Sequence, residues 1–300
     1  MTTKLIVATR KSQLALAQAR AFMRQLEACH PGLQIEEKHV VTTGDRIQDR
    51  ALSEIGGKGL FIKEIEEAIV DGSADIAIHS LKDVPAELAP SLAIGCIPQR
   101  VDPRDAIVTR SGGKLGELPA GSKLGTSSLR RKVQLGAAHP GLEIVPLRGN
   151  VDTRLRKCSE GLVDAIVLAR AGLMRLGLAD RATEVIEPEV SLPAVGQGAL
   201  AIEMRAGDRA TLELLAPLAH LETAIAVAAE RGVMQAVEGS CQLPVAAYAL
   251  RDGSELWRRA LLAEPDGTRL RRREGRVAFP RDEAEAARFG VELGSALRAS

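Results

Sequence analysis

Aromatic side chains are scarce in this chain: one Trp, one Tyr and four Phe in 300 residues. So small a supply excludes a stacking platform for single-stranded bases, which needs several exposed rings along one groove. Net charge is nearly absent as well, with 40 Lys and Arg against 39 Asp and Glu for a formal +1, so no global field favours nucleic acid. The cysteines at 29, 96, 158 and 241 form no Cys-x-x-Cys pair, which argues against a zinc site and against a disulfide scaffold. The histidines at 30, 39, 79, 139 and 220 form no His-x-x-x-His pair, and no metal is expected. No uninterrupted apolar run approaches the length of a membrane span, and Met1-Thr2-Thr3-Lys4 lacks the layout of a signal peptide. The expectation is a cytoplasmic protein with neither a membrane nor a nucleic-acid partner, and the lack of any coiled-coil pattern points to a monomer.

What the chain does have is enough apolar content for more than one core, 45% hydrophobic against 26% charged. Short apolar runs alternate with helix-period segments over the first two-thirds, the pattern of α/β units. Strands are expected at 4–9, 34–41, 75–79, 92–97, 106–109, 143–146, 164–168 and 199–204, with helices at 12–28, 59–70, 128–138, 151–159 and 169–176. Because strands follow helices, parallel sheets are expected. Two segments, Pro98-Gln99-Arg100-Val101-Asp102-Pro103 and Pro193-Ala194-Val195-Gly196-Gln197-Gly198, read as paired crossovers between two lobes around a cleft. The lobes would comprise 1–98 with 199–216, and 104–192. Beyond Pro217 a long alanine-rich helix (221–236), strands and a last helix (282–297) form a small α+β domain over 221–300. There the run Arg269-Leu270-Arg271-Arg272-Arg273 reads as a solvated strand face.

Two nucleotide motifs fail. Gly116 and Gly121 have P-loop separation, but Ser122 precedes Lys123 where the pattern needs Gly-Lys-Ser/Thr, and Gly196-Gln197-Gly198-Ala199-Leu200-Ala201 leads into a strand-like run rather than a helix. The segment Gly56-Gly57-Lys58-Gly59 is either an anion-presenting loop or an ordinary flexible one.

The informative charges are local. Arg130 and Arg131 stand in the first turn of a helix just after Thr126-Ser127-Ser128, where the macrodipole disfavours cations, so an anion is expected there. Arg10 and Lys11 repeat the pattern before the helix that starts at Ser12. Arg148 and Arg154 flank the turn Gly149-Asn150, and Arg175 lies near a helix end. A guanidinium suits a carboxylate or phosphate held bidentately, although a surface ion pair would account for any one of these taken singly. Asp83, in His79-Ser80-Leu81-Lys82-Asp83-Val84-Pro85 at a strand's C-terminal end, is the candidate catalytic carboxylate, able when buried and charged to stabilise a developing cation; an Asx-turn before a proline is the plainer alternative. Cys241 sits among small residues between a helix end and a strand, either as an attachment thiol or as a small buried hydrophobe; the second reading also covers Cys29, Cys96 and Cys158.

Five segments in register carry a resemblance: 79–85, Gly125-Thr126-Ser127-Ser128-Leu129-Arg130-Arg131, Leu147-Arg148-Gly149-Asn150-Val151-Asp152-Thr153-Arg154, Leu192-Pro193-Ala194-Val195-Gly196-Gln197-Gly198 and Gly239-Ser240-Cys241-Gln242-Leu243-Pro244. Together they resemble the porphobilinogen deaminase (hydroxymethylbilane synthase) family over nearly the whole chain. The resemblance implies two lobes like type II periplasmic binding proteins plus the small α+β domain. It implies an enzyme of tetrapyrrole synthesis that joins four porphobilinogen units with loss of ammonia, primed by a dipyrromethane cofactor on a thioether at Cys241. It casts Asp83 as the catalytic carboxylate and Lys82, Asp83, Ser128, Arg130 and Arg131 as cofactor-binding, with Arg10, Ser12, Arg148, Arg154 and Arg175 holding substrate carboxylates. Two positions depart from the family pattern: Ser240 replaces a frequent glycine, and Glu54 stands where some relatives carry lysine. Lys58 and Phe61 still fit the family's active-site loop. A non-catalytic two-lobed anion-binding module would use the same fold and arginines. Asp83 and Cys241 separate the two, because an aspartate in an anion site repels its ligand.

Overall fold

Strand β1 (Lys4–Arg10) is built from residues suited to a pleated, half-buried surface, and its chain turns directly into helix α1 (Gln13–Cys29). Ser12 stops the strand and starts the helix: its backbone is extended and its Oγ accepts from the Ala15 N–H at 3.3 Å. Ala15, Ala19, Phe22, Met23 and Leu26 recur at helical spacing and bury one face of α1 against Leu5, Val7, Ile76 and Ile78. The computed structural model describes residues 4–43, 62–237 and 243–299.

Backbone contacts divide these residues into two compact units, one of 4–43, 62–100 and 199–224, the other of 101–198, 225–237 and 243–299. The first unit continues with β2 (Gln34–Val40), α2 (Lys63–Val70), β3 (Ile76–Ser80), β4 (Leu92–Cys96) and, much later in sequence, β10 (Leu200–Arg205) and α6 (Arg209–Leu215). Its sheet runs β2-β1-β3-β10-β4. Helix α2 buries Ile65, Ala68 and Ile69 against Ala8 and Ala77, on the sheet face opposite α1.

The second unit holds β5 (Asp105–Thr109), β6 (Lys123–Gly125), α3 (Leu129–Ala138), β7 (Glu143–Val145), α4 (Val151–Ser159), β8 (Ala165–Ala169), α5 (Arg170–Arg175) and β9 (Glu184–Ile186). Its sheet runs β7-β6-β8-β5-β9. The two sheets share one plan: the second strand, the first, the third, a strand arriving from the other sheet's chain segment, then the fourth.

That arriving strand corrects the expectation of parallel sheets. Strand β10 runs antiparallel to β3 and β4, and β5 runs antiparallel to β8 and β9, while β1·β2, β1·β3, β6·β7 and β6·β8 are parallel. The helix-linked strands must run parallel because each is re-entered from the same end; a strand delivered by a loop crossover has no such constraint. The crossovers fall at 98–103 and 193–198, as the proline-bearing segments indicated. Gly198 closes the second with φ +89°, and a Cβ there would lie 2.6 Å from the Val101 carbonyl oxygen, so only glycine fits.

The C-terminal part has α7 (Leu221–Ala236), an antiparallel sheet β11 (Val245–Asp252), β12 (Glu255–Leu262), β13 (Arg271–Ala278), and α8 (Glu283–Arg298). Helices α7 and α8 cross closely; at Gly290 a Cβ would meet the Ala229 carbonyl oxygen at 2.0 Å. Val133 and Leu192 pack with Ala246, Leu261 and Ala263, so this sheet shares a core with the second α/β sheet inside one unit. Arg272 and Arg273 are exposed on β13, in keeping with a solvated face. Cys96 and Cys158 are buried hydrophobes as expected, but Cys29, the last residue of α1, is exposed.

Candidate functional site

The first unit gathers Arg10, Ser12, Gln18, His79, Ser80 and Asp83 around a pocket at the C-terminal ends of β1 and β3, floored by Leu14, Ala15, Ile62, Ile65 and Ile78. This is the sheet edge where α/β folds bind ligands. Ser80 Oγ donates to Gln18 Oε1 at 2.8 Å, tying β3 to α1 across the pocket wall. Residues Leu81–Asp83 form a single 3₁₀ turn, closed by the Val84 N–H donating to the Leu81 carbonyl at 3.0 Å. The turn buries Leu81 and leaves Lys82 and Asp83 exposed, so Asp83 is a pocket-rim carboxylate and not the buried one considered from sequence.

The second unit carries the arginines, and here the sequence reading missed a partner. Ser128 caps α3, its Oγ accepting from the Arg131 N–H at 3.4 Å, and so sets Arg130 and Arg131 in the first turn. Both side chains are buried, at 5% and 6% exposure, and both converge on Asp105, which is fully buried. Arg130 Nη1 donates to Asp105 Oδ2 at 2.9 Å and to the Leu192 carbonyl at 2.6 Å; Arg131 Nη2 and Nε donate to Asp105 Oδ1 at 2.7 and 3.2 Å. Gln197 Nε2 adds a 2.9 Å bond to the same Oδ1 and another of 2.6 Å to the Pro103 carbonyl, linking both crossover segments to the network. Burial alone would raise the Asp105 pKa, yet the two guanidiniums hold the carboxyl well below the usual carboxylate range. The anion demanded by this helix start is thus, in the first instance, part of the chain. A carboxylate heading the apolar run Ala106-Ile107-Val108 was the available signal, since a buried charge must be paired.

Two guanidiniums against one carboxylate leave positive charge over, and more lies beside it. Asn150 caps α4, its Oδ1 accepting from the Thr153 N–H at 2.9 Å, which places Arg154 one turn in, below Arg148 in the preceding loop. Arg148 Nη1 is buried with no hydrogen-bond partner among the described residues. Among the described residues Arg154 Nε reaches only the Gly149 carbonyl, at 2.8 Å, and its pKa is pushed down to about 10 by burial first and then by Arg131 and Arg148. Desolvated cations repelling one another, with an orphaned N–H, fit a carboxylate-bearing group. Arg175 stands at the end of α5, its Nη2 donating to the Gly198 carbonyl at 2.7 Å, with its pKa lowered to about 10 by burial. Cys241, Glu54 and the loop residues 56–61 lie outside the described residues.

A family model described as "Porphobilinogen deaminase, dipyromethane cofactor binding domain" matches residues 5–213, and one described as "Porphobilinogen deaminase, C-terminal domain" matches 224–299. The chain is 63% identical over 298 residues to a porphobilinogen deaminase of Sorangium cellulosum, covering 99% of each chain. It is 51% identical over 298 residues to one of Syntrophotalea carbinolica, covering 99% of this chain and 93% of the relative. Among solved structures, the methionine binding protein MetQ superposes with a TM-score of 0.47 at 14% identity, covering 72% of this chain and 89% of that one. With both halves of the sequence matched, the chain belongs to the porphobilinogen deaminase family.

Proposed function

We propose the following division of labour among the residues of this transferase, which joins four porphobilinogen molecules head to tail into hydroxymethylbilane with release of ammonia. When bound, the dipyrromethane cofactor supplies the free pyrrole α-carbon from which the chain is extended. Cys241 is its point of covalent attachment. Lys82, Ser128, Arg130 and Arg131 hold its acetate and propionate groups, and Arg10, Ser12, Arg148, Arg154 and Arg175 hold those of the substrate. Ser12 and Ser128 suit the task because each Oγ accepts a cap bond and keeps its own proton to donate. Asp83 supplies the negative group that the ring needs: it faces the cation left on the substrate when ammonia departs, steadies the pyrrole N–H, and accepts the α-proton after the carbon–carbon bond forms. We also read the protein as a cytoplasmic monomer without nucleic-acid or membrane partners, in line with its near-zero net charge and few aromatics.

The observation that supports this reading most is the unpaired Nη1 of Arg148 beside the mutually repelling Arg131 and Arg154. The intact protein should have a mass above that of its polypeptide by one two-pyrrole adduct, and Cys241→Ser should lack it. A fully active protein without the adduct, or an adduct retained in Cys241→Ser, refutes the assignment.

A further inference from the structure

One buried titratable pair in the first unit has no part in the scheme above. On β3, Ala77 and His79 project to the α2 side of the sheet, and in the antiparallel register of β3 with β10 the residue opposite Ala77 is Glu203. Glu203 therefore sits diagonally to His79 on the same face, where long side chains meet. Its Oε2 lies 2.9 Å from His79 Nε2, with His79 at 6% exposure and Glu203 at 1%. Glu203 Oε1 is buried with no hydrogen-bond partner among the described residues. A strand interior filled by Ile or Val would avoid this arrangement, since an unsatisfied buried acceptor is destabilising. The ring's other nitrogen, Nδ1, has no partner among the described residues, and His79 lines the pocket that Asp83 rims.

Resting on the role of Asp83 given above, we propose that the His79–Glu203 pair is the proton reservoir of this site. The pyrrole α-carbon loses its proton to the Asp83 carboxylate as the C–H bond breaks, and Asp83 passes it to His79 Nδ1. The imidazolium then returns it to the released ammonia, which leaves as ammonium, so the site ends each cycle as it began. Glu203 makes the transient imidazolium tolerable: the ring's charge appears beside a carboxylate already in place, and no isolated charge is created in the core. His79 thus acts through Asp83 and is a positioning residue in this sense. The other charged groups facing the imidazole are Glu66 on α2, Asp83 in the 3₁₀ turn and Arg10 at the end of β1. Burial, and then Glu203, raise the Glu66 pKa.

The test uses adduct-bearing holoenzymes of His79→Asn and Glu203→Gln, with the adduct verified by mass, and follows single-turnover ammonia release and pyrrole coupling from pH 5.5 to 9. His79→Asn should lower kcat by about 100-fold with KM within two-fold, and flatten one limb of the pH profile. Glu203→Gln preserves volume and a hydrogen bond to Nε2 but removes the charge; it should shift that limb to lower pH, and it decides the matter if His79→Asn does not load cofactor. Unchanged pH profiles in the variants that load, or a loss of kcat that merely follows a lowered Tm, overturn the proposal. Failure of the wild-type protein to carry the adduct would count against the reading of Cys241 and is scored separately.

Discussion

Replacing Asp105 by Asn tests how the arginine pair is held. The substitution keeps side-chain volume and one acceptor oxygen, but it turns the other oxygen into a donor that faces guanidinium N–H groups. In the native protein the two oxygens accept from Arg130 Nη1 and Nη2, Arg131 Nε and Nη2, Gln197 Nε2 and Ser191 Oγ. Two buried cations would lose their counter-charge, and removing one partner of a buried pair costs about 3–5 kcal/mol. With a urea m-value of about 2–3 kcal/mol/M, the midpoint should fall by roughly 1–2 M at unchanged m. The effect carries a pH signature. Because the folded-state pKa of Asp105 lies below its unfolded value, its stabilisation is complete above that value and is lost as pH falls toward the folded pKa. Between pH 5 and pH 3 the gap between native protein and variant should therefore shrink by about 1 kcal/mol, from an unfolded-state pKa of about 3.9. A gap under 1 kcal/mol at pH 7, or one that stays constant over that interval, refutes the account of Asp105 as the counter-ion on which the pair depends.

Asp83 is exposed, so Asp83→Ala should change stability by no more than about 0.5 kcal/mol. Ammonia release should nevertheless fall by about 10²- to 10⁴-fold in a stopped assay with porphobilinogen, and release at the native rate would remove Asp83 from the mechanism. Arg154→Gln should act in the opposite sense on the fold. It deletes a desolvated cation repelled by Arg131 and Arg148, so thermal unfolding of the cofactor-free protein should rise by the equivalent of about 0.5–2 kcal/mol while adduct loading or chain extension is impaired. A lower Tm together with unimpaired loading would mean that Arg154 is structural.

Local signals were legible in the sequence and tertiary ones were not. Helix α4 begins and ends where the pattern placed it, because Asn150 provides a cap that depends on nothing outside its own turn. Ser12 and Ser128 marked their helices for the same reason. The short strands β6 and β9, three residues each, were missed, although the equally short β7 was read at 143–146, so length alone does not account for them. Helix α6 went unread although Asp208 caps it, its Oδ1 accepting from the Thr211 N–H at 3.1 Å. Strand polarity failed because direction is set by how a strand is reached and not by its composition. Arg130 and Arg131 were found from their conflict with the helix dipole. Asp105, 25 and 26 positions away, and the His79–Glu203 pair, 124 positions apart, needed the fold to bring their members together.

The charge balance of the second unit ties its stability to its ligand. Arg130, Arg131, Arg148 and Arg154 share one neighbourhood, and Asp105 is the carboxylate shown to neutralise any of them there. Asp105 pairs the two cations in the first turn of α3, while Arg154 stays desolvated beside Arg131 and Arg148, its pKa lowered first by burial and then by those two charges. Each pyrrole of a dipyrromethane brings two carboxylates, so on the placement proposed above the cofactor would add negative charge where the chain leaves positive charge over. Such a group binds the folded protein and not the unfolded one, and by mass action it must stabilise the fold. The same imbalance that makes the cofactor-free unit strained makes it selective for a polycarboxylate. On that placement stability and recognition are one property of this arginine cluster, with Asp105 setting how much charge is left for the pyrroles.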